Sequence, residues 1–143
     1  MKAFLQEKLA IPYNKYCVDC KSRATTHSIV FLGTFVCEIC ANEHLRNFPG
    51  NSNLYVKNVY GEHWDDYQLR SVAIGGNQPF FQVLKEYDID TLGIADKYKH
   101  AAVKWYKQRH LAAMDDVPFT TPQPPKDWNE RIELTKAQAS STA

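Results

Sequence analysis

Four cysteines in the first third of the chain are the residues best suited to chemistry. Cys17 and Cys20 form one C-x-x-C pair, and Cys37 and Cys40 form another. Residues 21–36 separate the two pairs, which matches the spacing of about 15 to 20 residues typical of zinc modules. Two residues between ligands allow one tight turn to direct both thiolates at the same ion, and Zn²⁺ prefers four such ligands in a tetrahedron. We therefore predict one structural Zn²⁺ bound by these four cysteines.

Three other interpretations of the cysteines fit the sequence less well. Two disulfides would require an oxidising compartment, and the first twelve residues lack the continuous apolar segment of a secretory signal. A redox C-x-x-C usually occurs as a single pair and not as two matched pairs. His27 lies between the pairs and is a possible ligand, but four thiolates already complete a tetrahedral site. Because such a site has no open position, the metal is expected to stabilise the fold and not to catalyse.

The elements that must position the cysteines are short. An N-terminal amphipathic helix is predicted to end at Pro12, because proline disfavours helical backbone in the residue before it. Residues 29–32 and 34–36 are apolar and β-prone, so we predict two strands interrupted at Gly33. Residues 37–46 are predicted to form a helix that begins at the second cysteine pair.

Periodicity and turn residues predict the remaining elements of the domain. Enrichment in aromatic and β-branched side chains predicts a strand over residues 54–60. Apolar side chains at helical spacing predict three helices, the first two of them separated by Gly75-Gly76-Asn77. These helices cover residues 64–74, 79–87 and 96–114. Short strands together with several helices indicate an α+β fold.

The composition of the chain changes after residue 114. Residues 117–125 include four prolines and are predicted to be extended. Residues 128–138 have the composition to form a short helix. We therefore divide the chain into a zinc domain over residues 1–114 and an extended, Pro-rich tail over residues 115–143.

The overall composition excludes several classes of protein. The chain has 143 residues, a hydrophobic fraction of 44% and a formal net charge of +1. A nucleic-acid-binding domain would show a strong basic excess, so no nucleic-acid partner is expected. No apolar run reaches the roughly 18 to 20 residues that cross a bilayer, so no transmembrane segment is expected. The missing secretory signal favours the cytoplasm or another reducing compartment, and the alternative is a subunit of an organelle assembly, such as a mitochondrial one.

Several short blocks around the cysteines resemble the zinc-finger domain of Arf GTPase-activating proteins (ArfGAPs). The resemblance covers roughly residues 8–114, and the blocks beyond the cysteines make it more specific than the metal spacing alone. The matching blocks are Asn14-x-x-Cys17-x-Asp19-Cys20, Gly33-x-Phe35-x-Cys37-x-x-Cys40 with His44, Trp64-x-x-x-Gln68-Leu69-Arg70, Gly75-Gly76-Asn77, Lys97-Tyr98 and Ala101-Ala102-x-x-x-Tyr106-Lys107.

This resemblance implies both a fold and an activity. The implied fold is a small central β-sheet surrounded by helices, with one structural Cys₄ zinc. The implied activity is acceleration of GTP hydrolysis on Arf-type small GTPases, by an arginine presented to the transferred phosphoryl group. Such an arginine contributes about 10³ to 10⁵ in rate, because it neutralises charge that develops in the transition state.

The segment that would carry this arginine departs from the family pattern. Leu45 stands at the arginine position, and Arg46 follows one residue later. One helical residue turns a side chain by about 100°, so Arg46 is a poor substitute unless the backbone is remodelled. Ala41-Asn42 replaces a Ser-Gly pair, and His27 stands where the family has tryptophan. These departures predict a retained scaffold with lost catalysis.

Two functions follow from this interpretation, and both imply a protein partner. The first is a non-catalytic ArfGAP-like zinc module that acts as a protein-interaction or structural subunit of a larger complex. In that case the Pro-rich tail, with Phe119 and Trp128, is expected to lie along a neighbour or to fold back onto its own domain. The alternative is a GTPase-activating protein for an Arf-like GTPase that uses Arg46 in a shifted register.

Overall fold

The computed structural model describes residues 3–49 and 54–126. The elements in chain order are α1 (Ala3–Leu9), α2 (Pro12–Lys15), β1 (His27–Ile29), β2 (Thr34–Val36), α3 (Glu38–Asn47), β3 (Val56–Asn58), α4 (Asp66–Ile74), α5 (Asn77–Glu86), α6 (Ile94–Lys97) and α7 (Ala101–Met114). The strands form one antiparallel sheet in the order β2-β1-β3, and the helices surround it. This architecture confirms the predicted α+β class. None of the described helices is long and apolar enough to span a bilayer.

Proline at position 12 begins a helix, and this corrects the prediction that a helix ends there. The first helix already ends at Leu9, and Pro12 is the first residue of α2. Proline suits that position, because the first helical N–H has no intrahelical partner and the ring already fixes φ near its helical value. The two short helices therefore replace the single helix that the sequence predicted.

The apolar run over residues 29–32 is mainly a hairpin turn, so the predicted strand is wrong in position. Strand β1 ends at Ile29, which pairs with Thr34 at the start of β2. Residues 30–33 reverse the chain, and Gly33 adopts φ of +68°. A Cβ at Gly33 would lie 2.5 Å from the carbonyl oxygen of Ser71, so the turn also requires glycine for close packing. The run is apolar because the turn is packed against α4, not because it is a strand.

The helix predicted over residues 96–114 is divided in two. Helix α6 ends at Lys97, and α7 begins at Ala101. His100 causes the restart, since its extended backbone and its Nδ1 atom, which accepts a 3.0 Å hydrogen bond from the N–H of Ala102, form an N-cap. Helix α3 has nearly the predicted bounds. The predicted strand over 54–60 narrows to β3, and α5 begins at Asn77 instead of Pro79.

Two apolar clusters hold these elements together. The larger cluster lies between the cysteine loops, the sheet, α5 and α7, and Phe80, Leu84 and Tyr106 are among its buried residues. The smaller cluster lies between α1, the sheet and α4. Its buried residues are Leu5, Val30, Phe35, Val59, Trp64 and Val72.

Two buried asparagines connect α2, β2 and α5. The Asn14 side chain accepts a 2.8 Å hydrogen bond from the backbone N–H of Asn77 and donates one to the carbonyl of Lys8. The Asn77 side chain accepts from the N–H of Phe35 at 2.7 Å and donates to its carbonyl at 3.2 Å. It also donates to the carbonyl of Tyr16. Buried amides satisfied in this way fix the orientation of the elements that they join.

Residues 117–126 leave α7 as an extended segment that returns along the same domain. The Phe119 ring lies 6.0 Å from the ring of Trp105, and the indole N–H of Trp105 donates to the carbonyl of Thr121 at 3.0 Å. This part of the tail therefore contacts its own chain. Trp128 and the possible helix over 128–138 lie outside the described residues. The division of the chain at residue 114 stays a prediction.

A buried Ser71–His110 pair joins α4 to α7 beneath the hairpin turn. Ser71 donates to the carbonyl of Val30, so the Nε2–H of His110, 2.9 Å away, donates to the Ser71 hydroxyl. Burial, together with the smaller effect of the Arg109 charge, lowers the pKa of His110 to about 4. The folded protein therefore holds this histidine neutral.

We predict that His110 makes the protein less stable in acid. Its folded pKa lies below the unfolded value of about 6.5, so the unfolded state binds the proton first and stability falls as the pH drops from 6.5 towards 4. The linkage gives a loss of about 2 kcal/mol between pH 7 and pH 5. Denaturant unfolding of His110→Gln, which keeps an N–H for Ser71, should show a correspondingly flatter pH dependence. His63→Gln, at an exposed site, is the matched control. An unchanged slope in His110→Gln would contradict the prediction.

Candidate metal centre

The four cysteine sulfur atoms converge as the spacing predicts. The Sγ atoms of Cys17, Cys20, Cys37 and Cys40 all lie within 4.8 Å of one another. The Sγ atoms of Cys20 and Cys37 are 3.8 Å apart. Zn–S bonds of about 2.3 Å in a tetrahedron require S···S separations of about 3.8 Å, so the four sulfur atoms would need to move by no more than about 1 Å relative to one another to bind Zn²⁺.

Hydrogen bonds to sulfur shape both cysteine turns. In the first turn, the N–H of Asp19 points at Cys17 Sγ over 3.4 Å, and Lys21 closes the turn with φ of +64°. In the second turn, Cys37 is the N-cap of α3, and its Sγ accepts from the N–H of Cys40 at 3.4 Å. One cysteine of the second pair is thus the N-cap of α3 and the other lies in its first turn. The N-terminus of α3 is therefore fixed to the metal site.

The surroundings of the sulfur atoms lower the pKa of Cys17 and Cys20 and raise the pKa of Cys37 and Cys40. The Cys40 side chain hydrogen-bonds to Cys17, which lowers the pKa of the Cys17 thiol to about 5 and raises the pKa of Cys40. Arg23 hydrogen-bonds to the sulfur atoms of Cys20 and Cys37, which raises the pKa of its guanidinium. A bound Zn²⁺ would take four thiolates and tie the two turns together. With four protein ligands, the ion would have no position for water or substrate, so its role is structural.

His27 is not part of this site. His27 is the first residue of β1, and its Nδ1 atom lies 2.7 Å from the hydroxyl of Thr26, the residue before it. Burial lowers the pKa of His27. The sulfur cluster contains only the four cysteines among the described residues.

A buried carboxylate lies between the two ligands of the first turn. The Asp19 side chain is 3% exposed and accepts three hydrogen bonds. The donors are Nε2 of His44 at 2.8 Å, Nζ of Lys97 at 3.1 Å and the hydroxyl of Tyr98 at 2.7 Å. Burial alone would raise the pKa of Asp19, but the hydrogen bond from His44 and the charges of His44 and Lys97 outweigh it and lower that pKa. The carboxylate therefore joins the metal site to α3 and α6.

The Asp19 contact fixes which side chains of α3 face the solvent. Helix α3 buries Cys40, Ala41 and His44. Leu45, the next residue, is 40% exposed, and the Arg46 side chain is 71% exposed. The Arg46 guanidinium pairs with the Glu43 carboxylate at 2.8 Å. Positions 43 and 45 differ by about 200° around the helix, so Arg46 is directed away from the flank that carries Leu45.

Sequence reasoning found the metal ligands but not the residues that support them. The cysteine spacing was sufficient because the ligands are close in sequence within each pair. The contact between Asp19 and Lys97 joins residues 78 positions apart, and no local pattern predicts such a pairing. The only signal was that Asp19, His44 and Lys97-Tyr98 all belong to the blocks that resemble ArfGAPs. Arg46, the candidate catalytic residue, lies on α3 but not in contact with the sulfur cluster.

We predict that metal removal unfolds the region around the cysteines. The purified chain should contain one zinc per molecule, measured by atomic emission, and chelation should reduce its helical circular dichroism, because four unpaired thiolates cannot hold the two turns together. Cys20→Ser should lose zinc and stability. His27→Gln is the control and should retain one zinc. A chain that keeps its spectrum and melting temperature after complete zinc removal would contradict the prediction.

Comparisons with known proteins agree with the fold and the metal site. The family model described as "Putative GTPase activating protein for Arf" (ArfGap) matches residues 2–115. The ADP-ribosylation factor GTPase-activating protein 3 of Bos taurus is 26% identical over 100 residues, which are 70% of this chain and 19% of that protein. The chain thus spans about a fifth of the length of this curated relative.

Two solved structures share the fold. The crystal structure of a "putative GTPase activating protein for ADP ribosylation factor" from Cryptosporidium parvum superposes with a TM-score of 0.60 at 25% identity, and the match covers 79% of this chain and 86% of that one. The ArfGap domain of HIV-1 Rev binding protein superposes with a TM-score of 0.54 at 23% identity over 87% of both chains, which supports the fold alone. The family match over most of the length shows that this chain belongs to the ArfGap family, whose zinc-binding fold its four clustered cysteines retain.

Proposed function

We propose that this chain is a non-catalytic ArfGAP-like zinc module, which binds a protein partner as an interaction or structural subunit of a larger complex. One observation carries the proposal: the exposed position that follows His44 on α3 is Leu45. A leucine cannot stabilise the charge that develops on a transferred phosphoryl group. A single exposed leucine is ordinary on a protein surface, so the argument rests on its position and not on its exposure.

The surroundings of Arg46 support the loss of catalysis. Its guanidinium already pairs with Glu43, and the pair lies on the flank of α3 that faces away from Leu45. An exposed pair of this kind contributes about 0 to 1 kcal/mol, so the pairing alone does not immobilise Arg46. The direction of the side chain is the stronger obstacle, because a catalytic arginine must lie within about 0.5 Å of its productive position.

The register of α3 opposes a shift that would bring Arg46 to the position of Leu45. A slip by one residue would move Cys40 away from the sulfur cluster and His44 away from Asp19. Both contacts are buried, and breaking the second would leave a carboxylate with fewer donors. The alternative function, a GTPase-activating protein that uses Arg46, therefore needs a change in the helix that its own anchors resist.

The proposed setting is a reducing compartment, because the zinc site requires thiolates. The cytoplasm fits this requirement, and so does the interior of an organelle in which the chain is part of an assembly. An Arf-like GTPase or the subunits of such a complex are the proposed partners.

We predict that the chain does not accelerate GTP hydrolysis. In single-turnover assays with several Arf-family GTPases, the wild-type chain and Arg46→Ala should both leave the intrinsic rate unchanged, against the about 10³- to 10⁵-fold effect of an arginine finger. An ArfGAP that keeps the arginine serves as the positive control. Acceleration that Arg46→Ala abolishes would establish the alternative function and overturn this one.

We predict that Leu45 contributes to partner binding. In native purification of the tagged full chain, a partner should be recovered in constant stoichiometry, and Leu45→Glu should reduce its recovery at least about tenfold, since a charge buried at an interface without a partner costs more than 1.4 kcal/mol. Leu92→Glu, at a site that is 37% exposed on another surface, is the matched control. Equal recovery with both variants would remove Leu45 from the interface.

A further inference from the structure

The extended segment after α7 contacts two aromatic hydrogen-bond donors. We define the aromatic cleft by Tyr87, at the end of α5, and Trp105, on α7. We define the proline segment as residues 119–125. The Trp105 indole N–H donates to the carbonyl of Thr121, and the Tyr87 hydroxyl donates to the carbonyl of Pro124. Phe119 packs at the edge of the larger apolar cluster.

The sequence of the proline segment restricts its backbone before it docks. Proline fixes φ near −65°, and each residue before a proline is directed into the β or polyproline-II region. Pro122, Pro124 and Pro125 apply both restraints to residues 121–125. A segment of this kind loses little conformational freedom on binding, which is why Pro-rich ligands favour aromatic clefts.

The two accepting carbonyls are separated by three residues, which is the period of a polyproline-II helix. With three residues per turn, the carbonyls of Thr121 and Pro124 lie on the same side of such a helix, about 9 Å apart. Trp105 and Tyr87 each supply one donor to that side. The two donors thus recognise the spacing of backbone carbonyls in the segment and not its particular side chains.

Neighbouring groups hold both donors in place. The Arg109 guanidinium stacks 4.5 Å from the centre of the Trp105 ring, and the His100 ring lies 5.6 Å from the Tyr87 ring. Both donor residues are buried, at 9% and 7% exposure. Burial raises the pKa of Tyr87, so the hydroxyl keeps its proton near neutral pH. The contacts of Arg109 with Trp105 and of His100 with Tyr87 do not involve the proline segment, so they orient the two donors independently of it.

The chain's own segment fills the cleft incompletely. Thr121, Pro122 and Pro125 remain exposed. A cavity of about 520 Å³ remains between the segment and α7, and Lys99, Lys104 and Gln108 are part of its wall. The segment is thus held by two backbone hydrogen bonds and by Phe119, with unused space beside it.

From these contacts we infer that the aromatic cleft is a binding site for a polyproline-II segment of a partner protein, which the chain's own proline segment occupies when that partner is absent. The ligand is defined by backbone shape and by accepting carbonyls at positions i and i+3. This inference concerns a surface apart from Leu45 and holds whether or not the chain activates a GTPase.

Competition from the chain's own proline segment would set the affinity that a partner needs in order to bind the aromatic cleft. Residues 115–118 alone link α7 to the proline segment, and a short link gives an effective concentration in the millimolar range. A partner peptide must therefore bind the cleft more tightly than the internal segment does, or bind the chain at a second site as well. Weakening the internal segment should expose the cleft to outside peptides.

The test uses the full-length chain and a synthetic peptide with the sequence of residues 118–125. In a full-length variant with Phe119, Pro122, Pro124 and Pro125 all changed to alanine, the peptide should shift the Trp105 indole resonance in ¹⁵N spectra. Its affinity should be at least about tenfold higher than for the wild-type chain, because the internal competitor is removed. A peptide with every proline changed to alanine should bind at least about tenfold more weakly.

Substitutions in the cleft supply the second arm of the test. Placed in the alanine variant, Trp105→Phe and Tyr87→Phe each remove one donor but keep a ring, and each should weaken peptide binding at least about fivefold, the equivalent of one lost hydrogen bond. Tyr13→Phe, at an exposed site on α2, is the matched control and should have no effect.

Two results would overturn the inference. The first is a zinc-loaded, folded alanine variant that does not bind the peptide, which would make the segment a local packing element. The second is binding that neither Trp105→Phe nor Tyr87→Phe weakens. If the alanine variant does not fold, millimolar peptide added to the ¹⁵N-labelled wild-type chain should displace residues 119–123, seen as movement of the amide resonances of residues 119–121 and 123. Unmoved resonances would then count against the inference.

Discussion

The rest of the structure depends on one buried anion, the carboxylate of Asp19. A charge removed from water is tolerated only when several donors replace the lost hydration. Here the donors come from separate parts of the chain: His44 on α3, and Lys97 and Tyr98 at the end of α6. Because Asp19 also lies within the first cysteine turn, the same carboxylate relates the metal site to both helices. The zinc ligands alone would fix only the two turns and the N-terminus of α3.

This arrangement makes helix α3 the most constrained element near the metal site. Its N-cap and first turn supply two sulfur ligands, and one turn later His44 reaches Asp19. Two anchors at different positions along a helix fix its rotation about its own axis. The exposed face of α3, with Leu45 and Arg46, therefore follows from the sulfur ligands and from the contact between His44 and Asp19. Under the proposed function, this scaffold keeps every anchor of the helix without the catalytic cation.

Local patterns in the sequence predicted the metal site and most of the helices and strands. They did not predict the contacts between residues far apart in the sequence. Cysteine spacing sufficed because each pair acts within one turn. The apolar run at residues 29–32 gave a wrong strand prediction, because a packed hairpin turn and a strand can share the same composition. Pro12 and His100 misled because each begins a helix where a breaker or a helix interior was expected. Lys97 shows the limit most clearly, since a lysine that is 1% exposed is explained only by a partner far away in the sequence.

The side chain of Asn77 has a consequence for how this domain can assemble. Strand β2 lies at the edge of the sheet, and Phe35 is its central residue. The Asn77 amide binds both the N–H and the carbonyl of Phe35, and the N–H of Val18 binds that carbonyl as well. The outward hydrogen-bonding groups of this residue are therefore already satisfied, as if by an additional strand. A partner cannot extend the sheet at this edge, and self-association by strand addition is blocked there. One amide thus protects the β2 edge of a small three-stranded sheet against the aggregation to which open edges are prone.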